Sequence, residues 1–135
     1  MTLPSNNEVQ AAIVARLKAQ ATVTAEVVAT EIREDQWQGT EFSYPNIRVK
    51  MLHNRPQEDN CNKTIVDVSV QVFGEDASSL QTDRIAGIIA NVLHTVQFSS
   101  SGLQVSLRVY DIVPSIRSNA RTWRSEVLLA GIASG

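Results

Sequence analysis

Apolar and polar positions alternate strictly from Thr64 to Phe73, with Val66, Val68, Val70 and Val72 on one side and Asp67, Ser69 and Gln71 on the other. A period of two marks a strand with one buried face. Gly74, Glu75 and Asp76 interrupt it. From Ser79 the period becomes helical: Ile85, Ile88, Ile89, Val92, Leu93 and Val96 form one stripe. The spacing predicts a helix over 79–96 laid on the valine face.

The rest of the chain supplies partners for this pair. Near the start, Ser5 or Asn6 can cap a helix with Glu8 in its first turn, where the helix dipole favours an anion. Val9, Ile13, Val14 and Leu17 give this short helix a narrow apolar face. From Thr22 to Ile32 the pattern suits either a helix or a strand, and β-branched residues favour extended chain over 27–32. Residues 34–41 are polar and read as a loop, with Trp37 placed to cover one end of the core. Tyr44 and Pro45 open a strand in which Ile47, Val49 and Met51 point inward and Arg48 and Lys50 outward; a proline at a strand start loses no ladder bond.

Residues 53–63 form a polar connection to the valine strand, well beyond the usual two to five residues of a hairpin loop. Long loops on a rigid sheet are where binding is usually placed. This arm contributes His53, Asn54, Arg55, Gln57, Glu58, Asp59 and Asn60 as candidate interface residues, and Pro56 disfavours pairing through its middle. After the helix, residues 99–102 read as a turn. Leu103, Val105, Leu107 and Val109 alternate with polar residues, and Pro114 limits that strand. A turn at 118–120 leads to a last strand over 123–132, where leucine and valine on both faces predict burial on both sides, within the fold or against a partner. The expected fold class is α+β: one domain over 1–135, an antiparallel sheet of about four to five strands, and a long helix and a short N-terminal helix packed on one face.

The chain of 135 residues is long enough for one core that needs no disulfide or metal. Its single cysteine, Cys61, has no partner for a disulfide and no second cysteine for a metal site. No apolar run reaches membrane-spanning length, and no basic region followed by an apolar stretch marks a signal peptide. A cytoplasmic site of synthesis and assembly is expected.

Net charge is −2, but it is unevenly spread. Residues 1–83 carry 7 basic and 12 acidic side chains, whereas residues 84–135 carry 5 arginines and 2 acids. Such asymmetry can give one subunit two faces of opposite sign.

Motifs of catalysis are absent. Gly74 and Gly102 stand alone, so there is no phosphate loop. His53 and His94 are far apart, and no histidine or cysteine has metal-ligand spacing. No serine sits in a nucleophile elbow. The adjacent acids Glu34 and Asp35, Glu58 and Asp59, and Glu75 and Asp76 read as solvated turns. No enzyme activity and no cofactor are expected. Arg117, Arg121 and Arg124 surround the last turn with Trp123 among them. That grouping fits a solvated hairpin tip or a protein interface better than a nucleic-acid grip, because three cations make few phosphate contacts.

This layout resembles the tail terminator, or tail-completion, proteins of long-tailed bacteriophages. The matching pieces are the helix over 8–19, the strand opened by Tyr44, Pro45, Asn46, Ile47, Arg48 and Val49, the strand over 66–73, the helix over 79–96, and the strands over 103–113 and 123–132. The resemblance covers nearly the whole chain and rests on layout and size. It implies a non-enzymatic virion protein forming a hexameric ring at the head-proximal end of a tail tube. Such a ring ends tube polymerisation, meets the head connector, and passes DNA through its lumen without reading sequence. Neighbouring alternatives are another neck, head-completion or tube-related subunit. From a different class comes a small RNA-binding ferredoxin-like module, disfavoured because Asp67, Ser69, Gln71, Gln104 and Ser106 occupy faces where aromatic and basic residues would be needed.

Overall fold

The computed structural model describes residues 3–35, 42–57, 62–119 and 121–135. The elements run in the order α1 (Asn6–Lys18), α2 (Ala21–Thr24), a 3-10 turn (Ala29–Glu31), β1 (Ile32–Glu34), β2 (Asn46–Pro56), β3 (Lys63–Gly74), α3 (Leu80–Leu93), β4 (Val96–Ser100), β5 (Leu103–Arg117) and β6 (Trp123–Ser134). The strands form one six-stranded sheet in the order β1-β2-β3-β6-β5-β4. β1 runs parallel to β2, and every other neighbouring pair is antiparallel. The fold is therefore α+β with a mixed sheet.

β3 lies at the centre. Val66, Val68, Val70 and Val72 are all fully buried, as their alternation predicts. In register with them, β2 contributes Ile47 and Val49 and β6 contributes Val127 and Leu129 to the same core. From α3 come Ile85, Ala86, Ile89, Ala90 and Leu93, and from α1 Val9, Ile13 and Leu17. α1 begins with a capping box: Ser5 Oγ accepts from the Glu8 N–H, and Glu8 Oε1 accepts from the Ser5 N–H.

The structure departs from the sequence expectations at several places. The two main helices are of nearly equal length, 13 and 14 residues, so there is no long and short pair, and the sheet has six strands. α3 stops at Leu93; Thr95, at φ 50°, turns the chain, and Val96 opens β4. Residues 99–102 are not simply a turn. Ser99 and Ser100 belong to β4, and Ser101 and Gly102, both with positive φ, form the two-residue link to β5. The 22–32 segment is mostly helical and turn-like, and only Ile32 starts a strand.

The polar arm is shorter than expected. β2 runs on to Pro56, with Arg55 opposite Ile65 and Pro56 opposite Thr64. A bulge at Leu52 and the edge position of the strand let this happen, since a proline at an edge turns its missing donor outward. Likewise Pro114 does not end β5. The register shifts between Val113 and Ile116, and the strand continues to Arg117. On β6, Leu128 is half-buried and Ile132 exposed, so the far face of its end is not covered within the subunit. Trp37 lies outside the described residues.

Candidate functional site

The predicted interface residues fall into two groups at opposite ends of the sheet. His53 and Arg55 are exposed on the sheet face away from the helices, in register with Asp67 and Ile65. Asn54 points the other way and is engaged with the start of α1: its Nδ2 donates to Pro4 O and to Asn6 Oδ1, each at 3.0 Å. The Gln57 N–H donates to Lys63 O at 3.0 Å, closing the strand pair. Glu58, Asp59 and Asn60 lie outside the described residues.

The second group sits around the β5–β6 turn. The Arg117 guanidinium stacks over the Trp123 ring at 5.0 Å from its centroid. Arg121 reaches Glu75 at 3.7 Å, a loose pair between well exposed side chains. Asn119 Oδ1 accepts from the N–H groups of Arg121 and Thr122, and the Ser118 N–H donates to Thr122 O, so the turn is built by its own polar groups. Arg124 lies opposite Phe73 on β3 and Ile116 on β5. From Arg55, level with Ile65, to Arg124, level with Phe73, the two groups are about 27 Å apart along the strand direction. They cannot act on one small molecule.

Sequence reasoning missed a charged cluster at the β1 edge. Arg33 and Arg48 stand in register on neighbouring parallel strands. Buried Glu31 bonds Arg33 at 3.4 Å. Burial, and then the charge of Arg33, hold the Arg48 guanidinium below its ordinary pKa. The alternating acid and base at 31 and 33 is the signal for it, hidden in the stretch whose secondary structure was ambiguous.

A second unpredicted feature borders β5. A groove of about 440 Å³ runs between the second half of α3 and residues 109–112. His94 Nδ1 accepts from the Val109 N–H at 3.0 Å, and Asp83 Oδ1 accepts from the Ser115 N–H at 3.0 Å and the Ser115 hydroxyl at 2.6 Å. Tyr110, Ile112 and Ile116 remain exposed along this strand. Among the described residues, no three of His, Cys, Asp and Glu gather into a metal-binding group. No helix there is long and apolar enough to cross a membrane.

The face of the sheet away from the helices carries Asp67, Ser69, Gln71, Ser106 and Glu126, with Ser69 Oγ donating to Glu126 Oε2 at 2.6 Å. It offers no row of aromatic rings on which bases could stack.

No family model and no curated protein matches the chain. Solved structures do share its fold. A chain of the virion of a native gene transfer agent particle is similar at a TM-score of 0.75 and 15% identity, over 94% of this chain and 95% of that one. A second solved chain is similar at a TM-score of 0.66 and 14% identity, over 97% of this chain and 96% of that one.

Proposed function

We propose that this chain is a structural subunit of a phage-like virion, acting as a tail terminator. Copies form a ring, hexameric by the resemblance above, at the head-proximal end of the tail tube. The ring ends tube polymerisation and offers its other surface to the neck or head connector, and DNA passes through without base recognition. Assembly takes place in the host cytoplasm. The observation that carries this reading is the end-to-end likeness in fold to a chain of a gene transfer agent virion, with nearly full coverage of both chains. It agrees with the layout resemblance at the level of a virion structural protein. The two separated surface groups also suit a subunit with a neighbour on each side better than a module with one binding pocket.

The test is the native mass of the purified protein, alone and mixed with tail tubes, with tube length followed by electron microscopy. A ring-sized species that binds tube ends and arrests their growth is expected. A protein that stays monomeric and leaves growing tubes unaffected would sink the reading. A ring that binds connector but not tube ends would instead favour a neck subunit.

A further inference from the structure

Among the described residues, the sheet leaves part of each lateral edge without a strand beside it. β1 covers β2 only from Ile47 to Val49, so residues 50–56 pair with β3 alone. β4 covers β5 only from Leu103 to Leu107, so residues 109–117 pair with β6 alone. These open stretches are on opposite sides of the sheet and at opposite ends of it. Open edges are sites of strand addition unless they are blocked. On β5 the side chains of His94 and Asp83 occupy the Val109 and Ser115 N–H groups and leave the residues between them accessible.

We propose, resting on the ring reading above, that the occupant of the open β5 edge is β2 of a second copy of this chain. Residues 50–56 lie antiparallel to residues 110–116, with Arg55 facing Asp111. Polarity supports this. β2 is antiparallel to β3, β3 to β6 and β6 to β5, so β2 and β5 run in opposite directions within one sheet. A neighbour related by rotation in a ring therefore presents its β2 antiparallel to β5 without being turned over.

Charge supports the same register. Arg55 and Asp111 both lie on the sheet face away from the helices, both are exposed, and neither has an ion pair within the chain among the described residues. Setting them opposite carries the new pairing down to Lys50 and Ile116, where Arg117 abuts the end of β1, which fills the outer side of Val49. Glu34 is in register with Val49, and the Asp35 N–H donates to Val49 O at 2.9 Å. Two acids of one copy thus come beside the Arg117 and Arg121 turn of the next. The irregularity at Leu52 faces the one between Val113 and Ile116, and β5 carries a second, at Tyr110, which falls opposite Pro56 at the end of the pairing. Leu52, Tyr110, Ile112 and Ile116, all more than 40% exposed, would be covered.

Val49 lies level with Val70, Val127 and Ile112 of its own chain. Bringing that level to Arg117 of the next copy, itself level with Trp123, steps successive copies by the four β6 residues from Val127 to Trp123, about 13 Å at the ordinary strand rise. Each copy adds four full strands, about 19 Å of sheet width. That step corresponds to a strand tilt of about 35°, at the lower end of the range of closed barrels.

The test uses full-length protein and sedimentation. Arg55→Asp and Asp111→Arg should each weaken association by about tenfold per interface, from loss of one pair plus like-charge repulsion. The two changes combined should restore assembly. In a Cys61→Ser background, Arg55→Cys with Asp111→Cys should give a disulfide-linked ladder of subunits under oxidation, a readout that does not depend on the charge variants folding. If the parent forms rings while the single swaps assemble like it and no ladder appears, this interface is overturned and the ring reading stands. If the parent is monomeric at every concentration and no ladder appears, both are overturned.

Discussion

Gly131 sits where β6 and β5 approach closely. A Cβ added there would stand 1.9 Å from the Ser106 carbonyl oxygen of β5, a backbone atom that cannot swing aside. Gly131→Ala must therefore push β5 and β6 apart where Leu107 and Val66 also pair with it, and we expect a loss of about 1–3 kcal/mol, read as a lower urea midpoint. The position looks like any strand residue in the sequence, because a close approach between distant segments leaves no local trace. Val70 is the opposite case. Its burial follows from simple alternation and is complete in the structure, with Val49 and Val127 beside it. Val70→Asp would place an unpaired carboxylate in that core at a cost of several kcal/mol, against a total stability of about 5–15. A soluble variant melting like the parent would show that the valine face is not the core face.

At the scale of elements, legibility depended on whether local pattern or tertiary context decided the outcome. β3, α1 and the body of α3 have strong periodicity and appear where the pattern puts them. β4 was hidden because Val96 falls one helical step beyond Leu93 and so continues the α3 stripe, while its two serines resemble a turn. The extensions of β2 past Leu52 and β5 past Pro114 were hidden because bulges absorb the local irregularity and pairing with β3 and β6 overrides it. Of the candidate interface, the exposed positions of Arg55 and of the β5–β6 turn were legible, whereas the open edge of β5 was not: it exists only because β4 is short. The β2–β3 connection now has a sharper test. Deletion of 57–60 removes the Gln57–Lys63 closure but leaves the ladder up to Pro56 and Thr64. The deletion should keep the melting temperature within a few degrees of the parent and reduce ring formation or docking, measured by calorimetry and sedimentation. Unchanged assembly would remove the connection from the interface.

For the whole molecule, the charge asymmetry becomes spatial. The acidic part of the sequence forms α1, α2 and β1 to β3, and the basic part forms most of α3 and β4 to β6. In the sheet order these are two side-by-side halves, so the bias points toward opposite lateral edges. A head-to-tail ring joins such edges by rotation, and a fixed angle closes it. The arginines of the β5–β6 turn stand in the basic half, at one end of the sheet, with Arg117 held by Trp123 and Arg121 only loosely engaged by Glu75. Exposed ion pairs contribute only about 0–1 kcal/mol each, so apolar cover must supply most of the affinity, and the charges set register and encounter rate. Reversal by Arg121→Glu with Arg124→Glu should therefore slow or prevent ring formation while the monomer stays folded, because both side chains lie outside the buried core. Salt should weaken the parent ring modestly, since the screening length falls from about 10 Å at 0.1 M to about 3 Å at 1 M. Sedimentation of parent and double variant across a salt series separates the outcomes. A variant that assembles like the parent at every salt concentration would take this turn out of the contact and leave any ring to be held through other surfaces. A variant defective only at low salt would show that repulsion, and not lost packing, is what the substitution introduced.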